Sequence, residues 1–352
     1  MKTDKVLVTG SSGHLGEALV RVLRARRPDG RGGGWGGRGG RGGGGGWGGE
    51  STVAGLDLKP GPYTDITADI TDRSAVRQAL AASGATAVIH AATLHKPHVG
   101  SHGKQAFIDT NVTGTLCLLE ESVAAGARAF VYASTTSAFG RALVPAAGEP
   151  AAWVTEDVPG IPRNIYGATK AAAEDLCQLT HAEHGLPVIA LRIARFFPEG
   201  DDDDAVRAAY PDANVKANEL LYRRVDIADV VDAHLLAVEH AARIGFARYI
   251  ISATTPFTPR DLPRLKNDLA GVVRERFPDL DREYRRRGWR LFPGTDRVYV
   301  NARARAELGW RPRYDFGQLL EALSRDEDPR SPLARAVGAK GYHDRPTGVY
   351  TS

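Results

Sequence analysis

Short apolar runs alternate with stretches of helical periodicity through the first 190 residues of the chain. Val6 to Val8, Thr52 to Leu56, Ala87 to Ala91, Phe130 to Ala133 and Val188 to Arg192 read as buried strands. Between them Leu15, Leu19 and Leu23 mark one helix face, and Leu116, Leu119 and Val123 another. Strands separated by helices predict an α/β fold built on a doubly wound parallel sheet of the Rossmann kind. From Val225 to His240 a strand-like start runs into a helix with Val231, Leu235 and Val238 spaced for burial. The remaining C-terminal elements are shorter and richer in Pro and Arg, which predicts a second, smaller lobe. The expected organisation is a sheet domain over 1–190, a C-terminal lobe from 191–221 and 256–325, a return to the sheet domain over 222–255, and a polar C-terminal tail, 326–352.

Positions 30–49 break this rhythm, because they hold only Gly, Arg and Trp, with 15 Gly among the 20. Such a tract cannot bury enough apolar surface to offset its ordering entropy, so a disordered Gly-rich insertion is expected between the first helix and the second strand. Arg31, Arg38 and Arg41 with Trp35 and Trp47 resemble arginine-glycine segments that touch RNA. Three arginines are few, however, and Lys+Arg 46 against Asp+Glu 42 is a near balance that disfavours a nucleic-acid partner. Cys117 and Cys177 fall within apolar-periodic stretches and read as reduced, buried thiols. An apolar strand starts at Val6, leaving no room for a signal peptide, and no apolar run approaches the ~18 residues of a membrane span. A soluble, cytoplasmic protein without a membrane partner is expected; homodimer formation is left open.

Candidate chemistry begins at Val6-Leu7-Val8-Thr9-Gly10-Ser11-Ser12-Gly13-His14-Leu15-Gly16. Gly10, Gly13 and Gly16 stand between a strand and an amphipathic helix. The first suits a tight turn, the second a close approach to pyrophosphate, and the third close helix-to-strand packing. With the 20-residue tract set aside, Asp57 lies 21 residues past Gly16, at the end of the second strand. A carboxylate there can bind ribose hydroxyls and repel a 2′-phosphate, which favours NAD over NADP. The alternative is an Asp that merely opens the turn before Pro60, and Lys59 tempers the preference.

Tyr166 and Lys170 stand four apart in a stretch that reads as helix, so they share one face. A free phenol, with a pKa near 10, is a poor base at neutral pH. An ammonium ~4 Å away at an effective dielectric of ~20 contributes ~4 kcal/mol, about three pKa units. Depression of the phenol by the lysine is therefore expected. The run Phe130 to Ala133 ends in Ser134-Thr135-Thr136-Ser137, at the carboxyl edge of the sheet, where a hydroxyl can hold a substrate oxygen beside the tyrosine. The bland alternative is a hydroxyl-rich loop that caps the next turn.

Taken together, Thr9-Gly10-x-x-Gly13-x-x-Gly16, Asp69-Ile70, His90-Ala91-Ala92, Asn111-Val112-Thr113-Gly114-Thr115, the hydroxyl run ending at Gly140, Tyr166-Gly167-x-x-Lys170 and Leu308-Gly309-Trp310-x-Pro312 resemble the extended short-chain dehydrogenase/reductase family of NAD-dependent sugar epimerases and dehydratases. The resemblance spans nearly the whole chain. It implies catalytic Thr135, Tyr166 and Lys170, with Gly10, Gly13, His14, Leu15, Gly16, Asp57 and again Tyr166 and Lys170 around the cofactor. It also implies adenine contacts at Asp69 and Ile70, a cofactor-lining turn at Ala91 and Ala92, and Asn111 as cofactor-site residue and support for the active-site helix. The family's 4,6-dehydratases carry an Asp-Glu pair after the catalytic Thr; here stand Thr136 and Ser137, which argues against dehydration. Where nucleotide-sugar enzymes show an Arg-x-x-Asn stretch, this chain reads Arg192-Ile193-Ala194-Arg195.

Other charged clusters carry less. Glu199 with Asp201 to Asp204 reads as a solvated loop rather than a cation site, and no metal is expected. His95, Lys96, His98 and His102 lie on the active-site edge, without ligand spacing but able to touch an anionic substrate. Arg285, Arg286, Arg287 and Arg290 suit either phosphate contacts or a charged helix face. The combined expectation is an NAD-dependent epimerase or dehydrogenase that acts on a sugar-type small molecule by hydride transfer. A different class, a non-catalytic dinucleotide sensor using the Arg-Gly tract as its contact, is the alternative.

Overall fold

The computed structural model describes residues 5–25 and 53–340, so the tract at 30–49 and the expectation of disorder there lie outside the described residues. Nine strands are present among them: β1 (Val6–Thr9), β2 (Val53–Asp57), β3 (Ile66–Thr67), β4 (Ala87–His90), β5 (Ala129–Thr135), β6 (Ala152–Val154), β7 (Val188–Ile193), β8 (Phe246–Ile251) and β9 (Arg297–Tyr299). Seven form one parallel sheet in the order β3-β2-β1-β4-β5-β7-β8, and β6 pairs with β9 in a small parallel sheet of its own. The order reverses between β1 and β4, which opens a crevice at their carboxyl ends.

The main strands read as continuous apolar runs because both faces are covered. Successive side chains point to opposite faces, so Val6, Val8, Val131 and Ala133 enter one core while Leu7, Phe130 and Tyr132 enter the other. The first core is closed by α1 (His14–Ala25), through Leu15, Leu19 and Leu23. The second is closed by α2 (Arg73–Ser83), then, after the short α3 (Lys104–Ile108), by α4 (Gly114–Ala124) and α5 (Ile165–His184). On α4 the buried residues include Cys117, Leu118 and Leu119, with Leu116 and Val123 only partly covered. Past the short α6 (Asp204–Ala209) and α7 (Asp212–Leu220), the long α8 (Ile227–Ile244) returns to the first core with Val231, Leu235 and Val238.

Three elements differ from the sequence reading. The strand-like start at Val225 is a connection held by a bridge between Arg195 and Arg224, and α8 begins after Asp226, whose side chain accepts from the Ala228 N–H. The strand after α8, β8, was not anticipated; it sits on the sheet edge, where Arg248 interrupts its apolar run. Residues 326–340 do more than form a polar tail. A helix over Pro332–Val337 buries Leu333 and Val337 in the first core, and Lys340 pairs with Glu17 of α1.

A third core, including Val215, Leu221, Phe257, Leu265, Val272 and Phe316, forms the second lobe over the carboxyl edge of the sheet. Cys117 and Cys177 are buried free thiols. No helix among the described residues is long and apolar enough to cross a membrane.

Candidate active site

A cleft of about 660 Å³ runs between the carboxyl edge of the sheet and the second lobe. At one end is the glycine turn between β1 and α1. Gly10 adopts a φ of 76°, and its N–H donates to the Leu56 carbonyl at 2.8 Å. A Cβ on Gly10 would come within 2.6 Å of the Ala92 nitrogen, and one on Gly16 within 1.9 Å of the Gly10 carbonyl. Gly13 is roomier, its nearest contact being 3.2 Å. The turn therefore presses against β4 and its own helix, leaving room for a ligand's phosphates above Gly13 and the α1 N-terminus.

Asp57 stands beside this turn. Its carboxylate accepts from the Ser12 N–H at 2.9 Å and from the Lys59 N–H at 2.9 Å, which fixes it at the end of β2. His14, Leu15, Asp69, Ile70, Ala91 and Ala92 all line the cleft. His14 is buried and stacked on Phe196, with ring centroids 5.6 Å apart, and burial lowers its pKa to about 3. Asn111 lies behind the wall rather than on it. Its amide accepts from Leu94 N–H at 2.8 Å and donates to Leu94 carbonyl at 2.8 Å and Thr169 Oγ1 at 3.1 Å, tying the loop after β4 to α5. A glycine cradle with a fixed carboxylate opposite fits a dinucleotide with free ribose hydroxyls.

Midway along the cleft, β5 delivers Ser134 and Thr135, and α5 delivers Tyr166. The helix starts where it does because Asn164 Oδ1 accepts from the Gly167 N–H at 3.0 Å. The Tyr166 phenol lies beside the Thr135 side chain on the wall of the cleft, and Thr135 Oγ1 accepts from the Ser137 N–H at 3.1 Å. Lys170 lies one turn on, fully buried, its ammonium 4.3 Å from the Tyr132 ring centroid. The expected depression of the phenol is not observed. Burial raises Tyr166 to about 12, opposed by the neighbouring Thr135 side chain, and burial lowers Lys170 to about 7, opposed by Cys177 and Glu174. Desolvation outweighs pairing because the lysine charge rests over Tyr132, so both groups are held toward their neutral forms.

Beneath this set lies Glu174, which the sequence reading did not single out, although it follows Lys170 by one helical turn. Its buried carboxylate accepts from Ser134 Oγ, Arg192 (2.8 Å) and Arg248 (2.9 Å), and so clamps β5, β7 and β8 to α5.

At the lobe end, Asp201 and Asp202 of the acidic run are tied into ion pairs, while Asp204 stays exposed as expected of a solvated loop. Lys96 pairs with Asp202, and Arg195 with Asp201, Asp202 and Glu219. Lys96, His95 and His98 line the cleft, and burial lowers the Lys96 ammonium to about 8. Arg286 and Arg287, at the end of a helix over Leu280–Arg286, bind Glu283 and Asp326, and Arg290 lies beyond the helix over Tyr210. Arg163, Arg223, Arg297 and Tyr299 also line the cleft without having been anticipated. Their placement depends on contacts between distant segments, which leave no local signal.

Comparison with known proteins agrees with this geometry. Residues 6–251 match the NAD dependent epimerase/dehydratase family. The chain belongs to that family. Within the NAD dependent epimerase/dehydratase family, a dTDP-glucose 4,6-dehydratase of Streptomyces antibioticus is 30% identical over 333 residues, covering 89% of each protein. A UDP-glucose 4-epimerase of Rhizobium meliloti is 27% identical over 281 residues, covering 72% of this chain and 80% of the relative. The fold is shared with a short-chain dehydrogenase/reductase superfamily protein from Agrobacterium tumefaciens solved with NAD (TM-score 0.61, 23% identity, 94% of this chain and 99% of the other). It is also shared with the Thermus thermophilus UDP-glucose 4-epimerase in complex with NAD (TM-score 0.58, 22% identity, 96% and 100%). The family is NAD dependent, and the cleft's glycine turn and fixed Asp57 carboxylate are compatible with that cofactor.

Proposed function

We propose that this protein is a cytoplasmic, NAD-dependent epimerase or oxidoreductase of a sugar or nucleotide sugar, with Thr135, Tyr166 and Lys170 as its catalytic set. The observation that carries the reading is the convergence of Thr135, at the carboxyl end of β5, and Tyr166, in the first turn of α5, on the same cleft as the glycine turn. NAD, held by the Gly10–Gly16 turn and Asp57, supplies the hydride acceptor. Thr135 Oγ1 holds the reacting substrate oxygen, and Tyr166 Oη takes its proton. Tyr166 can take that proton only as a phenolate, so its own proton must first pass to the neutral Lys170 amine one helical turn on, whose ammonium Glu174 then backs. Its pKa near 7 lets it gain or lose a proton at working pH.

Water elimination is disfavoured despite the dehydratase relative. The positions after Thr135 are Thr136, which hydrogen-bonds to the Ile193 carbonyl at 3.4 Å, and Ser137, and neither offers a carboxylate. Epimerisation and net oxidation then differ only in whether hydride returns to the substrate.

The test is Tyr166→Phe, assayed with UDP-glucose, UDP-glucuronic acid and their free sugars by NADH absorbance and by product configuration. Turnover should fall by roughly 10²–10⁴-fold with NAD affinity nearly intact, because only the proton-transfer group is deleted. Activity within a few-fold of the wild type would refute the assignment.

A further inference from the structure

The lobe end of the cleft holds two buried donors that the redox reading does not use. Arg223 and Arg297 both line it, and in each the guanidinium Nε is buried without a hydrogen-bond partner among the described residues. Folded proteins seldom leave such donors unpaired without a use for them. Arg223 is anchored by Glu219 at 2.7 Å and Asp201 at 3.2 Å. Arg297 makes no side-chain hydrogen bond or ion pair among the described residues, and the Tyr299 N–H donates to the Tyr222 carbonyl at 3.0 Å, which sets the strand of Arg297 against the residue before Arg223. The nearby carboxylates are already committed: Glu219 to Arg195, Arg223 and Arg224, and Asp201 to Arg195 and Arg223. Arg297 is therefore a cation without an ion-pair partner among the described residues.

Its position on the strand says which part of a substrate would meet it. Arg297 and Tyr299 are two apart on β9 and face the same side. Tyr299 lines the cleft and stacks on Phe139, with ring centroids 6.5 Å apart, just beyond the hydroxyl run that ends at Ser137. The pair thus faces the reacting end of the cleft, with Asp57 and Asp69 at the adenosine end.

We propose that Arg223 and Arg297 form an oxyanion subsite for a carboxylate or phosphate carried by the reacting sugar itself. The proposal rests on the reading of the cleft as a sugar-oxidising site and narrows its substrate to an acidic sugar. A guanidinium offers Nε–H and Nη–H side by side, which matches two oxygens of such a group. A neutral sugar would leave these donors unpaired, and a site built to hydrogen-bond a group discriminates strongly against analogues that lack it.

Calorimetry on the NAD-loaded, full-length protein tests this with two pairs of probes: UDP-glucuronic acid against UDP-glucose, and glucose 6-phosphate against glucose. The acidic member of one pair should bind at least roughly tenfold more tightly. Arg297→Met should remove that advantage without changing the NAD dissociation constant, and Arg297→Lys should restore part of it. An advantage in the first pair assigns a carboxylate, and one in the second a phosphate. Equal affinities within both pairs, an advantage that survives Arg297→Met, or no binding of any probe overturns the proposal. The redox reading fails separately, through absent NAD binding or turnover indifferent to Tyr166→Phe.

Discussion

At the scale of single residues the active site is a contest between solvation and pairing, and Lys170 shows which wins. The side chain is fully buried, its charge compensated by the Tyr132 ring and by Glu174, and burial still brings it down to about 7 from an ordinary 10.5. A lysine depressed in the folded state releases its proton before the unfolded chain does. Stability is therefore lowest at and below pH 7 and recovers as the pH climbs to about 10.5, where both states are neutral. Lys170→Met keeps the length of the side chain and discards the charge. Glu174 keeps Arg192 and Arg248 as partners. The variant should be inactive yet more stable than the wild type by about 1–4 kcal/mol at pH 6, with the gap closing toward pH 10. A urea titration at both pH values measures this; a less stable variant at pH 6 would show that the contacts with Tyr132 and Glu174 outweigh the burial of charge.

At the scale of elements, the sequence disclosed those whose environment is uniform and hid those whose environment is mixed. β1, β4, β5 and β7 were legible because burial on both faces demands unbroken apolar runs, as Val6 to Val8 and Phe130 to Ala133 display. β8 was hidden because Arg248, on the sheet edge, reaches out to Glu174 and interrupts the run. The Tyr166–Lys170 spacing announced a shared helix face, but the direction of their pKa shifts depends on tertiary burial, which spacing does not encode. Arg297 was invisible for a related reason: its place in the cleft is set by β9 pairing with β6, a long-range contact. The glycine turn was the most legible element, and its geometry ranks its members. Gly16→Ala would drive a Cβ into the Gly10 carbonyl, so it should lower both melting temperature and NAD affinity. Gly13→Ala meets only a 3.2 Å contact, so it should weaken NAD while leaving the melting temperature close to that of the wild type. Equal thermal losses in the two variants would contradict the division of labour between packing at Gly16 and phosphate approach at Gly13.

At the scale of the whole molecule, the end of the described chain closes back on its beginning. The helix Pro332–Val337 packs on α1 and α8, the Ser331 N–H donates to Asp226, the N-cap of α8, and Lys340 pairs with Glu17 in the first turns of α1. The same turn of α1 carries His14 and Gly16, so the C-terminal helix braces the cofactor end of the cleft from behind. Leu333 and Val337 are 2% and 5% exposed, and full burial of such side chains contributes about 1.5–3 kcal/mol each, as an upper range. Truncation after Arg330 should therefore leave a folded protein destabilised by about 3–6 kcal/mol relative to one truncated after Lys340. NAD affinity should fall as well, because the first turns of α1 lose Lys340 and the apolar contacts that hold them in place. Urea unfolding and NAD titration on the two truncated chains give both quantities. Equal stability would show that the helix merely rests on the surface, and lost stability with unchanged NAD affinity would confine its role to packing.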